Sequence, residues 1–224
     1  MRSTKAGPRT RQVDVPATVH DISDAGTADY RVAVRLDDAS PLSPVEWARG
    51  VFECAPAQMR AGLVAGWRLG FRLQLGPLYS PTTALGWYLT ENTPAVAVLS
   101  ADSPLMQAQH HFLITGGGVT WVTLVRGHSR VGRGLWRLAA PGHEASMSWL
   151  LTRAARRARE LADGQPGRTA RRGHVVDVPS GDRREPRDRQ VISCSVPQAE
   201  RERWGNHARR RGLLPSRGKD SPDG

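Results

Sequence analysis

Residues 105–126 read LMQAQHHFLITGGGVTWVTLVR, and their parity decides the fold. Two stretches that alternate between apolar and polar flank a glycine cluster, the pattern of a β-hairpin with a tight turn. A two-residue turn at Gly116 and Gly117 sets Ile114 opposite Val119, Phe112 opposite Trp121, His110 opposite Thr123 and Ala108 opposite Val125. One face is then apolar except for His110 and Thr123. The other carries Gln107, Gln109, His111 and Arg126 and reads as the wetter face.

Working outward, strands over 86–91 and 94–101 precede the hairpin, so an antiparallel meander runs through 86–126. Further upstream Tyr30, Val32, Val34 and Leu36 alternate with Arg31, Ala33, Arg35 and Asp37, a half-buried strand. Ser43-Pro44-Val45-Glu46 is a capping box with proline at the first helical position. The helix it starts has a stripe of Trp47, Ala48, Val51 and Phe52, and Pro56 bars its continuation. Met59, Leu63, Val64 and Trp67 share one face of a second helix, whereas residues 71–85 fit neither period. Downstream, Met147, Leu150, Leu151, Ala154, Ala158 and Leu161 predict a helix over about 143–162, with Trp149 at the edge of its stripe.

The fold class expected is α+β: a curved antiparallel sheet around a long C-terminal helix, enclosing a cavity. The residues expected to line that cavity are Met106, Ala108, His110, Phe112, Trp121, Thr123 and Trp149.

Composition sets the boundaries. Of the 224 residues, 13 are aromatic, and 12 of these lie between Tyr30 and Trp149, which marks the core. Residues 163–224 include only eight Leu, Ile, Val or Phe among 62, too few to offset the entropy of ordering. They read as a disordered Arg-rich tail, and residues 1–28 as a disordered N-terminal arm with a short strand near Val13–Val19, leaving 29–162 as the folded domain. The net charge is +11, and all but Lys5 and Lys219 of the 32 cations are arginine. They are spread along the chain, which favours a compositional origin over one phosphate-binding block. No apolar run approaches the ~18 residues of a membrane span. The start, MRSTKAGPRTRQ, has no apolar stretch of a secretory signal, and Cys54 and Cys194 have no metal or redox spacing. A cytoplasmic setting is the expectation.

The element order is similar to the helix-grip architecture of START-like, polyketide-cyclase-like (SRPBCC) domains. Short segments also resemble DUF2867, an uncharacterised actinobacterial family: Asp29-Tyr30, Glu46-Trp47-Ala48-Arg49 with Val51-Phe52, Gly66-Trp67-Arg68-Leu69, Ser80-Pro81 with Gly86-Trp87, and Leu135-Trp136 with Pro141 and His143. The resemblance covers roughly 29–160. A START-like sheet usually has seven strands, and five are legible here. What the resemblance implies is a cavity for an apolar or amphipathic small molecule; it brings no settled activity.

Among polar candidates His110 stands out, in mid-strand on the apolar face. A neutral imidazole there could hydrogen-bond a ligand carbonyl or act as a base; the plainer reading is a core histidine satisfied by Thr123. Neighbours on a strand point to opposite faces, so His110 and His111 cannot share a metal, and the other histidines show no ligand spacing. Neither metal nor cofactor is expected. Gly127-His128-Ser129-Arg130-Val131 fails the nucleophile-elbow pattern at its fifth position and reads as a turn. From Ser103 to His143 there is no carboxylate, so this half of the domain encodes no paired-acid catalysis. The leading function is binding of a small hydrophobic molecule. Carriage and cofactor-free cyclase- or hydratase-type chemistry both stay open, with water positioned by His110 and Thr123 in the second case. The alternative is an interaction protein whose Arg-rich tail contacts nucleic acid or another anionic partner. That reading is less favoured because acids are interspersed among the cations.

Overall fold

The chain enters the sheet earlier than its composition suggests. A computed structural model describes residues 9–163 apart from Asp24, Asp38 and Ser40. Within them β1 (Thr10–Val13) precedes α1 (Ala17–Ile22) and a 3-10 turn at Ala25–Thr27. Next come β2 (Tyr30–Leu36), α2 (Pro44–Phe52) and α3 (Ala57–Ala65), the last running into a π-turn at Gly66–Gly70. The meander follows as β3 (Tyr79–Ser80), β4 (Thr83–Ala84), β5 (Trp87–Asn92), β6 (Val96–Asp102), β7 (Met106–Thr115) and β8 (Gly118–Gly127), before α4 (Arg130–Asp163). All strands join one curved, unclosed antiparallel sheet in the order β1-β2-β8-β7-β6-β5-β4-β3. No helix among the described residues is long and apolar enough to cross a membrane.

Gly116 and Gly117 have φ of +53° and +73°, the left-handed backbone that a two-residue hairpin turn requires. The pairing of β7 with β8 is therefore the one their parity predicts, with His110 opposite Thr123 and Phe112 opposite Trp121. β6 adds Leu99 beside His110 and Ala101 beside Ala108 on the same face. This inner face is covered by α2 and α4. The Ser43 capping box forms as expected, Ser43 N–H donating to Glu46 Oε2 at 2.7 Å, and the stripe of Trp47, Ala48, Val51 and Phe52 is fully buried. α2 meets α4 at Gly50, where a Cβ would lie 3.8 Å from that of Ala154.

Both faces of the sheet are buried, which corrects two expectations. Val19 and Ala25, with Val13, Val15 and Ala28 beside them, pack on Ala33, Val96, Val98, Leu113, Val122 and Leu124 of the outer face. The described residues between 10 and 28 are thus a strand, a helix and a cover rather than a disordered arm, because the outward parity of the sheet is itself apolar and must leave water. His111 lies on that outer face between Val98 and Val122 and is fully buried, so this side is not the wet one at its centre.

Helix α4 begins thirteen residues earlier than position 143. Ser129 accounts for this: its Oγ accepts the Gly132 N–H at 3.0 Å and its carbonyl accepts the Arg133 N–H at 3.1 Å, an N-cap that starts the helix beyond β8. The Gly127–Val131 segment is therefore a strand-to-helix junction, with Ser129 occupied as a cap. Pro141 sits inside the helix on its exposed side, where the missing N–H is least costly. The expected tail from 164 onward lies outside the described residues.

Trp149 is a further correction. It is 47% exposed, with the Arg153 guanidinium 5.7 Å over its ring. Two steps along a helix of 3.6 residues per turn carry it to the side opposite Met147, so it cannot share the stripe of Met147, Leu150 and Leu151. Trp149→Ala should therefore change stability by no more than about 1 kcal/mol in chemical denaturation.

Candidate functional site

The inner face leaves a cavity of about 390 Å³ between the sheet, α3 with its π-turn, and the first half of α4. α3 supplies Met59 and Leu63, the π-turn and the residues after it Trp67, Phe71 and Leu73, and α4 Trp136, Ala139, His143 and Ser146. The floor is Trp87, Met106, Ala108, His110 and Thr123. No charged side chain lines it.

Four of the seven residues expected at the cavity are there: Met106, Ala108, His110 and Thr123. Phe112 and Trp121 are not. They stack on one another at 5.4 Å, and both press edge-on against Phe52, in the closed part of the core where α2 caps the sheet. Trp149 faces away, as described. The wall that sequence reasoning missed is aromatic: Trp67 meets Trp87 edge-on at 5.3 Å, and Phe71 leans on Trp136 at 5.5 Å. Met59, Leu63 and Trp67 were legible as a helical face, but as a core stripe; of the α3 residues only Val64 is buried, and Met59 and Leu63 line the cavity. His143 was missed as well; the signal that could have found it is its place four residues before Met147 on the stripe of α4.

At the floor the polar groups form a chain. His110 Nδ1 lies 3.0 Å from Thr123 Oγ1 and 3.2 Å from Trp121 Nε1, and His143 Nε2 lies 3.1 Å from the same Thr123 oxygen. An indole N–H only donates, so His110 Nδ1 must be a lone pair and the neutral ring carries its proton on Nε2. Thr123 then turns its single proton to His110, leaving an oxygen that accepts from His143 Nε2–H. Met147 Sδ, 3.7 Å from Thr123 Oγ1, is the weaker acceptor. Two nitrogens remain without a partner among the described residues: His110 Nε2–H, a donor, and His143 Nδ1, an acceptor. Nitrogen-detected histidine spectra at pH 7 should show both rings as neutral Nε2–H tautomers; an Nδ1–H form of His110 would break the chain.

Burial holds the site uncharged. It pushes His110 well below the usual imidazole range, with the positive charges of His143 and His111 adding to it, and pushes His143 down to about 4. Trp136 and His143 are held from the side by Tyr30, whose ring meets the indole edge-on at 5.3 Å. Tyr30 donates its hydroxyl to Glu144 Oε1 at 3.0 Å; burial first, and then that carboxylate, raise its pKa. Among the described residues no three His, Cys, Asp or Glu come together as a metal cluster.

Neither a protein-family model, nor a curated protein, nor a solved structure matches this chain.

Proposed function

We propose that this protein binds a small apolar or amphipathic molecule in the cavity between sheet, α3 and α4, in a helix-grip arrangement of the START-like kind that the element order resembles. The observation that carries the reading is the chemistry of the wall. A space of about 390 Å³ with four aromatic side chains, Trp67, Phe71, Trp87 and Trp136, and no charge suits an apolar guest, and three polar side chains at one end can orient it. A histidine held near 4 is a weak base at neutral pH, so binding is favoured over proton abstraction by His143. N-phenylnaphthylamine, a neutral fluorophore, tests this. Its emission should rise saturably with one site per chain, and Ala139→Trp, which fills the cavity, should abolish the rise. Unsaturable emission, or a rise that Ala139→Trp leaves intact, would overturn the reading. The Arg-rich-tail alternative concerns residues outside those described.

A further inference from the structure

The cavity is short of acceptors. His110 Nε2–H has no acceptor among the described residues, and its position is fixed, since Trp121 and Thr123 both hold Nδ1 as a lone pair. Two more wall residues, Trp87 and Trp136, have indole N–H groups without a partner, but both atoms are sealed off from the space. Trp47 has one too, but it belongs to the closed core and not to the wall. Against these donors the floor offers one open acceptor, His143 Nδ1. His110 Nε2–H is therefore the donor an oxygen in the space can complete, and making a bond there gains what leaving it open forgoes.

Charge narrows the guest further. No Asp, Glu, Lys or Arg lines the cavity, so a carboxylate, phosphate or ammonium entering it would find no counter-ion. We infer that the cavity selects an uncharged, mainly apolar molecule carrying a carbonyl-type oxygen (a ketone, ester, lactone or quinone) that accepts the hydrogen bond of His110 Nε2–H. This rests on the proposed binding function and names its ligand class. Thr123 and His143 are positioning residues: they present the donor and do not touch the oxygen.

The test compares three probes of one size on the full chain by calorimetry: acetylnaphthalene, ethylnaphthalene and naphthoate. The ketone should bind about tenfold more tightly than the hydrocarbon, the worth of one well-made buried hydrogen bond, and naphthoate at pH 7 should bind more weakly than the ketone by at least as much. His110→Phe should abolish the preference, bringing the ratio of ketone to hydrocarbon affinity to about one whatever it does to both affinities together. A second measurement needs no variant: the infrared carbonyl band of the bound ketone should shift to lower frequency. Equal binding of ketone and hydrocarbon, preference retained in His110→Phe, tighter binding of naphthoate, or an unshifted carbonyl band would each overturn the inference. Failure of all three probes and of N-phenylnaphthylamine would overturn the binding function itself, and so separates the two.

Discussion

Between pH 6.5 and pH 4 the folded protein should lose several kcal/mol of stability. His111 and His143 are both pushed from 6.5 to about 4 by burial, and His110 is displaced in the same direction. In this window the unfolded chain binds protons that the folded chain refuses, so stability is full above about pH 7 and falls as the pH drops through 6.5. A displacement of that size is worth roughly 3 kcal/mol per histidine. Two such groups already rival the roughly 5–15 kcal/mol that holds a typical domain together. Glu53 acts in the opposite sense: burial raises its pKa, so its folded form takes up a proton first and offsets part of the loss on acidification. Urea midpoints measured from pH 7.5 to 4.5 should be flat at the upper end and fall steeply below 6.5. A midpoint that stays level to pH 4.5 would mean the three rings are hydrated.

Phe52→Ala should cost about 3–5 kcal/mol, the largest loss expected from a single truncation. The ring is 1% exposed at the end of α2. It meets Trp67 at 5.7 Å, His110 at 5.2 Å, Phe112 at 6.1 Å and Trp121 at 5.4 Å. It is therefore the contact through which α2 grips β7, β8 and the π-turn together. Neighbours anchored on three separate elements cannot all collapse into the vacated volume, so most of the cavity penalty remains. Urea denaturation would register this as a lower midpoint at an unchanged slope; a loss under about 1 kcal/mol would show that the cluster repacks.

What the chain made legible was whatever a short-range rule governs. Period two and a pair of glycines determined the partners of His110, because a slip of one residue would turn Phe112 and Trp121 outward. The capping box placed the start of α2 at Pro44. The losses came where tertiary burial overrode local signals. Gly132, Gly134, Pro141 and Gly142 all have poor helix propensity, yet a serine cap and the packing of Trp136 and His143 carry α4 through them. The outer cover was missed because Val13, Val15 and Val19 are too few to show a period. The signal lay elsewhere, in β8, where Val119, Trp121 and Val125 face inward while Val122 and Leu124 are apolar on the opposite parity. A strand apolar on both parities needs a layer on both sides. The cavity histidine on α4 escaped notice for a similar reason: a helix started at residue 143 makes His143 an end and not a member of the stripe.

The outer cover has a practical consequence for anyone cutting this chain. A fragment begun at Asp29, where the composition seems to put the boundary, would lack β1, α1 and the residues that shield Ala33, Val96, Val98, Leu113, Val122 and Leu124. It would also leave the main-chain groups of β2 that β1 occupies open to pairing with another molecule. A greasy shelf beside a bare strand edge is a template for self-association. Cutting at that boundary should shift the chain toward larger species in size-exclusion chromatography.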